Sequence, residues 1–290
     1  MKLTKTLRKI FALLLILLTA FGVSVLVSAE CLIDVHYTVA VEGLTNGVRA
    51  AVISDLHGRE LGKDNVRLIA KTAEQFPDVI FLDGDLVDRN SGEEDVRELE
   101  RLIQSLCEIA PVFFSLGNHE QAYMRNDDTL LERIEAAGAT VVNDSFVDVS
   151  IADQTLRIGG TLGYGFYFGR SEEEFTTSAE YVFLKEFENT DFPTICLAHR
   201  PDTFIFNGAY DMWDIDVVVS GHTHGGLVRL PFVGGLYAPM QGFFPEYDRG
   251  YFQLGDNMQM VISSGLAGHG VLPRVNNLPE IVVVDLVPKG

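Results

Sequence analysis

Cysteine is scarce in this chain of 290 residues, which contains only Cys31, Cys107 and Cys196. Such an odd and sparse count excludes a disulfide framework. Cys107 falls in a helical pattern and Cys196 in a strand pattern, so both are predicted to be ordinary buried side chains. Cys31 follows Glu30 instead of the small residue that a lipoprotein signal places before its cysteine, so lipidation is not expected.

Basic residues are also few, with 22 lysines and arginines against 41 acidic residues and a net charge of −19. Four of the basic residues and none of the acidic ones precede residue 30, so the rest of the chain has 18 basic and 41 acidic side chains. A surface of this sign repels polyanions, which excludes extended nucleic acids as partners. A small phosphorylated substrate held by metal ions remains compatible, because the ions set the local field.

The one long apolar run covers residues 10–27 and follows the four early basic residues. Its length is at the short end for a membrane span and exceeds a typical signal-peptide core, while residues 27–29 resemble a cleavage site. A membrane anchor and a cleaved signal therefore both remain open; a buried core helix is disfavoured because the run is apolar on all sides. The basic end predicts a cytoplasmic N-terminus, with residues 1–29 as signal anchor or transmembrane segment and residues 30–290 as one extracytoplasmic domain at the cell membrane.

Beyond this run, strand and helix patterns alternate. Residues 33–41 show the two-residue period of a half-buried strand, and helical stripes occupy 66–76 and 96–106. Ser178 is predicted to cap a helix that runs to residue 187, and Asp127 or Asp128 to cap one closed by Gly138. Residues 147–151 and 156–160 form a predicted hairpin, and late β runs without helices between them, at 251–254, 258–263 and 281–286, suggest an antiparallel part.

Five short apolar runs, which read as buried strands, end in motifs rich in histidine, aspartate, asparagine and glycine. The motifs are Asp55-Leu56-His57, Gly84-Asp85, Gly117-Asn118-His119-Glu120, His199, and Gly221-His222-Thr223-His224. Carboxylate oxygen, amide oxygen and neutral imidazole are ligands of borderline divalent metals, and the carboxyl ends of strands are where open α/β sheets build sites. The pattern predicts a catalytic metal centre.

The order of these motifs resembles the calcineurin-like metallophosphoesterase superfamily, whose motifs are D-x-H, G-D, G-N-H-[DE], H and G-H-x-H. The resemblance extends from residue 48 to 287, and residues 221–226, 229–231, 235–239 and 275–281 are similar to its membrane-anchored or exported bacterial branch. It implies an α/β fold of two packed mixed β-sheets flanked by helices, here preceded by the N-terminal transmembrane or signal helix.

The resemblance also implies an activity and a ligand set. The activity is hydrolysis of a phosphodiester or phosphomonoester with two divalent ions, Mn, Fe or Zn, and His119 is implied to protonate the leaving oxygen or stabilise the transition state. The residues alone support this only in part. Asp55 and His57 are two positions apart, as are His222 and His224, so each pair would share a face if it lay on a strand. The implied ligands are Asp55, His57 and His224 for one ion, Asn118, His199 and His222 for the other, and Asp85 for both.

Several neighbouring residues have open roles. Glu120 and Asp88 are expected to orient histidines, with solvated loop carboxylates as the alternative. His36 is expected to be an ordinary surface or half-buried residue. Further candidates for contact with a substrate are Arg89, Arg200, His269 and the aromatic group at 164–168. For the aromatic group, core packing is the alternative. Leu227 stands where this branch often has glutamine, which bears on specificity and not on catalysis.

Three functions therefore compete. The first is an exported, membrane-anchored phosphoesterase with a small phosphorylated or phospholipid-like substrate. The second is a pyrophosphate hydrolase for a lipid-linked or nucleotide-sugar substrate. The third, a non-catalytic scaffold, would be marked by lost ligands, and none is missing here.

Overall fold

The computed structural model of the chain describes residues 5–162, 172–268 and 272–290. Its helices begin where polar residues precede an apolar stripe and end at glycine, proline or a loop. In chain order they are α1 (Lys5–Glu30), α2 (Val66–Ala73), α3 (Glu93–Cys107), α4 (Asn118–Tyr123), α5 (Leu130–Ala136), α6 (Glu172–Thr176), α7 (Ala179–Phe187) and α8 (Asp202–Ile205).

The strands are short and rich in valine, isoleucine and phenylalanine, which suit a pleated and buried surface. In chain order they are β1 (Ile33–Val41), β2 (Val48–Ile53), β3 (Val79–Asp83), β4 (Val112–Ser115), β5 (Thr140–Val141), β6 (Ser145–Ile151), β7 (Gln154–Thr161), β8 (Thr194–Ala198), β9 (Val217–Ser220), β10 (Arg229–Leu230), β11 (Gly234–Gly235), β12 (Tyr237–Ala238), β13 (Gly242–Phe243), β14 (Gly250–Leu254), β15 (Met258–Ile262) and β16 (Glu280–Pro288).

Two six-stranded mixed sheets result. The first has the order β1-β16-β2-β3-β4-β5, and the second β14-β15-β9-β8-β7-β6. In the first, β2 to β5 run parallel, while β16 lies antiparallel to β2 and parallel to β1. In the second, β7, β8, β9 and β15 are parallel, and the hairpins β6-β7 and β14-β15 close its edges.

The sheets pack face to face, and helices cover both outer faces. Along β3, Val79 and Phe81 point into the layer between the sheets, and Ile80 and Leu82 point toward α2 and α3. This strand is buried on both faces, which explains its unbroken apolar run. Each such side chain contributes about 1.5–3 kcal/mol through burial. The predicted α/β sandwich is confirmed.

Some local predictions need correction. The helix that ends before Gly138 begins after Thr129, which makes no side-chain cap, and Asp127 instead accepts hydrogen bonds from the Thr129 amide and hydroxyl. Ser178 caps α7 as expected, by accepting from the Tyr181 amide. Of the late β runs, only β14 and β15 form an antiparallel pair, since β16 leaves them and enters the first sheet.

The N-terminal helix α1 lies outside this core and exposes its apolar side chains. Among the described residues it is the one helix long and apolar enough to cross a membrane, judged by length and composition. Its last turns contact the domain: the Asn276 amide donates to Ser24 Oγ at 2.7 Å, and the Asn277 amide to Ser28 Oγ at 3.3 Å. The guanidinium groups of Arg59 and Arg67 donate to carbonyls at the end of α1.

Candidate metal centre

The motif residues follow their strands in strained turns. Asp55, His57, Asp85, His222 and His224 all have positive φ, between 49° and 67°. This left-handed region is disfavoured for residues with a Cβ and costs on the order of 1–3 kcal/mol for each. Neighbouring loops stabilise the turns, since the amides of Asp55 and His57 donate to the carbonyls of Gly84 and Asp85 at 3.0 and 2.9 Å.

This geometry corrects one premise of the sequence argument. Asp55 and His57 reach the same pocket, but not because they lie on a strand, as β2 ends at Ile53. His222 and His224 likewise follow β9, which ends at Ser220. A left-handed turn after each strand brings the paired side chains together.

Two glycines permit the close approach of these loops. A Cβ at Gly117 would lie 2.2 Å from Asp85 Oδ1, and one at Gly221 would lie 2.5 Å from Asp55 Oδ2. Both distances are far below contact distance, so any side chain would push the two carboxylates out of place. The glycines in the G-N-H and G-H-x-H motifs therefore leave the space that the carboxylates of Asp85 and Asp55 occupy.

Asp55 and Asp85 stand at the centre of the cluster, both buried. His57 Nε2 lies 4.0 Å from Asp55 Oδ1 and 3.8 Å from Asp85 Oδ2, and His199 Nε2 lies 3.9 Å and 3.1 Å from the same two atoms. His224 Nε2 is 3.6 Å from Asp55 Oδ1. Three imidazole nitrogens therefore converge on two carboxylates.

The second nitrogen of two histidines fixes their tautomers. His199 Nδ1 is 2.7 Å from the carbonyl of Asp83, and His224 Nδ1 is 3.2 Å from the carbonyl of Ala267. A carbonyl can only accept, so each Nδ1 carries the proton and donates it. The lone pair is thereby left on Nε2, which faces the carboxylates, the arrangement that metal-binding histidines use.

The electrostatics favour a cation among these groups. Burial raises the pKa of Asp55 to about 6, although the charge of His199 acts to lower it. Burial acts in the same direction on Asp85, but His199 and the other imidazoles outweigh it and lower the pKa of that carboxyl. Burial lowers the pKa of His57 to about 4 and that of His222 well below its usual value. These two imidazoles are therefore neutral at pH 7, as metal ligands must be.

His199 and Asp83 complete this buried charge pattern. Burial would lower the pKa of His199, but contact with Asp85 raises it well above its usual value. Burial also raises the pKa of Asp83 to about 8, and neither of its carboxylate oxygens has a hydrogen-bond partner among the described residues. Asp83 directly precedes the Gly84-Asp85 motif, but it is not among the predicted ligands.

The donor atoms fit divalent cations. The ligand atoms of Asp55, His57 and His224 all lie within 4.8 Å of one another, and the same holds for Asp85, His199 and His222. Asn118 Oδ1 and His57 Nε2 are buried and lack a hydrogen-bond partner in the described part of the chain. Unpaired buried acceptors are costly unless something occupies them, and a metal ion would do so.

His119 lies at the edge of this cluster. Its ring meets that of His57 edge-on, with centroids 4.5 Å apart, and its Nδ1 is 3.4 Å from Asp88 Oδ2. These three residues form a further group whose ligand atoms lie within 4.8 Å of one another. The His119 amide donates to Asp85 Oδ1 at 2.7 Å, and Arg89 Nη2 is 3.4 Å from His119 Nε2. Asp88 therefore stands beside two histidines, as expected.

Glu120 has a different role from the expected one. Its buried carboxylate accepts from four backbone amides, those of Asp85, Leu86, Val87 and Gly117, at 2.6–3.0 Å. Burial raises the pKa of this carboxyl to about 7. It orients no histidine of the described residues, but it holds the Asp85 turn against the start of α4.

Other candidates have ordinary contacts, and two residues outside the predicted site support it. Arg200 pairs with Asp202 at 2.7 Å, and His36 pairs with Asp34 on the surface. Asn277 Nδ2 donates to the His224 carbonyl at 2.7 Å. Buried Arg274 donates to the Ala267 carbonyl, which also accepts the hydrogen bond from His224 Nδ1. Only the paired asparagines at 276 and 277 could have signalled this support. His269 and the aromatic group at 164–168 lie outside the described residues.

Comparison with known proteins agrees with this geometry. The sequence profile of the family described as calcineurin-like phosphoesterase matches residues 48–226. An uncharacterized metallophosphoesterase of Aquifex aeolicus is 31% identical over 265 residues, which are 88% of this chain and 91% of the relative. The phosphodiesterase YaeI of Escherichia coli is 27% identical over 221 residues, 76% of this chain and 74% of its own. A transmembrane protein with metallophosphoesterase domain of Danio rerio is 26% identical over 260 residues, which are 83% of this chain and 53% of the relative.

Proposed function

The chain belongs to the calcineurin-like phosphoesterase family, and from this premise we propose that it hydrolyses a phosphodiester or phosphomonoester with two divalent metal ions. The observation that carries the proposal is the pair of ligand groups that meet at Asp55 and Asp85. Mixed oxygen and nitrogen donors suit Mn, Fe or Zn.

We assign the ligands as follows. Asp85 would be a ligand of both ions, because it lies beside histidines of both groups. Asn118 adds a neutral oxygen, which avoids a further negative charge among buried acids. The remaining ligands are Asp55, His57 and His224 for the first ion, and His199 and His222, with Asn118, for the second.

When bound, two such ions lower the pKa of water and neutralise charge on the phosphoryl group. The residues of the chain supply the rest. The carbonyls of Asp83 and Ala267 keep His199 and His224 in the ligand tautomer. His119 is held beside the site by Asp85, Asp88 and Arg89. As a water oxygen forms its bond to phosphorus and the bond to the leaving oxygen breaks, His119 gives its proton to that leaving oxygen. Arg89, whose Nη2 is 3.4 Å from His119 Nε2, is the candidate to bind a phosphoryl oxygen.

The proposal includes a division of the chain. Residues 1–29 serve as a membrane anchor or signal segment, and residues 30–290 form the catalytic domain on the extracytoplasmic side. The exposed apolar surface of α1 and the basic residues before its apolar run support this arrangement. The related Danio rerio protein is named as a transmembrane protein, which agrees with it.

Chelation is expected to abolish hydrolysis. The full chain, purified in detergent, should carry close to two transition-metal ions and cleave bis(p-nitrophenyl) phosphate, and Mn²⁺ should restore activity after a chelator removes the ions. A panel of phosphomonoesters, phosphodiesters and lipid-linked pyrophosphates then identifies the substrate class. Full activity of the metal-free chain would refute the metal mechanism, and inactivity on every ester would favour a scaffold.

Protease added to cells whose outer layers are removed should digest the domain after Glu30. The reason is that the basic residues before the apolar run keep the N-terminus in the cytoplasm. Immunoblotting with an antibody against the domain measures the loss, and a cytoplasmic protein is the control for intact cells. A domain that survives under these conditions lies in the cytoplasm.

A further inference from the structure

The last turns of α1 bind the domain beside the candidate metal centre. Ser28 Oγ accepts from the amide of Asn277, whose side chain donates to the carbonyl of His224. A second contact joins Ser24 Oγ to the amide of Asn276. The helix that we propose as anchor is thus connected by two hydrogen bonds to a proposed metal ligand.

The segment that follows His224 exposes many apolar side chains. Seven of the fifteen residues from 230 to 244 are large, apolar and exposed: Leu230, Phe232, Val233, Tyr237, Met240, Phe243 and Phe244. In the rest of the described domain the exposed large apolar residues are scattered, at positions 66, 76, 182, 192, 251 and 272. Single exposed apolar residues need no explanation, but a concentration of them indicates an interaction surface.

This segment, which we call the 230–244 surface, has a fixed structure. It consists of the small hairpins β10-β11 and β12-β13. Arg229 Nη1 donates to the Gly225 carbonyl and to Asp248 Oδ2 at 2.9 and 2.7 Å, and the Gly235 amide donates to the same carboxylate oxygen. These hydrogen bonds attach the segment to the domain, while its seven large apolar side chains are exposed.

The 230–244 surface adjoins α1 at a defined level of the helix. The carbonyl of Arg229 accepts from Asn276 Nδ2 at 3.1 Å, and the Asn276 amide donates to Ser24. Ser24 lies within the apolar run of α1 and about 9 Å before its last residue, at 1.5 Å per residue. In a helix that crosses a bilayer, this level falls near the boundary between head groups and hydrocarbon.

We propose that the 230–244 surface lies on the lipid bilayer that holds α1, with its phenylalanine rings at the depth of the head groups. This inference rests on the proposed anchoring by α1. Aromatic side chains favour that interfacial region, and their burial there removes apolar area from water. Because the Leu236 amide of this surface donates to the carbonyl of Gly226, in the turn that begins at His224, the proposal also places the metal centre close to the membrane. The substrate class this favours is a phosphate ester carried on a membrane lipid.

The test uses the full chain with Phe232→Trp, reconstituted in phosphatidylcholine vesicles whose acyl chains carry bromine on the carbons close to the head groups. The native chain has a single tryptophan, Trp213, which is 3% exposed in the core, so the parent protein supplies the background. The matched control is Phe76→Trp, since Phe76 is exposed beside the starts of β2 and β3, at the end of the strands opposite the motifs. Tryptophan at 232 should lose most of its emission in brominated vesicles, and tryptophan at 76 should lose none.

The outcomes separate this proposal from the proposed enzyme activity, because the measurement needs no substrate. If a carbonate wash leaves the chain in the vesicles but tryptophan at 232 is no more quenched than tryptophan at 76, the surface does not touch lipid. If the tryptophan of Phe232→Trp is protected from water-soluble iodide but not quenched by bromine, the surface binds a protein partner and the proposal is overturned. A chain that the wash removes would refute the anchor and the membrane surface together.

Discussion

Replacement of His119 by alanine should lower turnover by ~10²–10⁴ while the metal content stays near two ions per chain, since general acid catalysis contributes that much. The loss should be smaller for a nitrophenyl ester than for an alkyl ester, because a good leaving group needs less protonation as its bond breaks. Rates on both esters, together with metal analysis by mass spectrometry, measure the effect. His36→Ala is the matched control, as His36 pairs with Asp34 on the surface.

His222→Ala provides the contrast, because it should lose metal and activity together whatever the leaving group. His119 lies within 4.8 Å of ligand atoms of His57 and Asp88. If His119→Ala loses metal as His222→Ala does, then His119 is a ligand and the proposed acid lies elsewhere.

Asp85→Asn should lower both metal occupancy and turnover, and the fall in turnover should exceed ~10²-fold, because loss of a mere supporting partner already costs about 10–100-fold. The substitution keeps the size of the side chain but removes the charge that both ligand groups share. It also weakens the acceptor that receives the His119 amide. Metal analysis and rates on the same diester measure the two losses.

The matched control for Asp85→Asn is Asp256→Asn, which removes the same charge at an exposed site. Circular dichroism of both variants checks the fold. If Asp85→Asn retained two ions, the carboxylate would not be shared between them.

The sequence by itself determined the strands and the order of the motifs. Apolar runs such as that of β3 are local signals, because a strand buried on both faces must be apolar throughout. The position of each motif just after a strand was equally visible, and the structure brings the predicted ligands together at that edge. The exposed apolar helix α1 also follows directly from its composition.

Tertiary structure alone decided how these parts meet. The insertion of β16 between β1 and β2 depends on pairing across more than 200 residues, which no local pattern encodes. Glu120 was expected to orient a histidine, but four backbone amides surround its carboxylate, and which donors reach a buried acid depends on how separate loops pack.

The metal centre itself shows the same division. The residue types of Asp55 and His57 predict ligands for a metal. Their left-handed turns, however, are stabilised by the carbonyls of Gly84 and Asp85, which accept hydrogen bonds from their amides. The connection from α1 through Asn277 to His224 likewise joins three distant parts of the chain. The sequence determined the chemistry of the donors because it resides in single side chains, whereas their arrangement and their distance from the proposed membrane depend on hydrogen bonds between segments that only folding brings into contact.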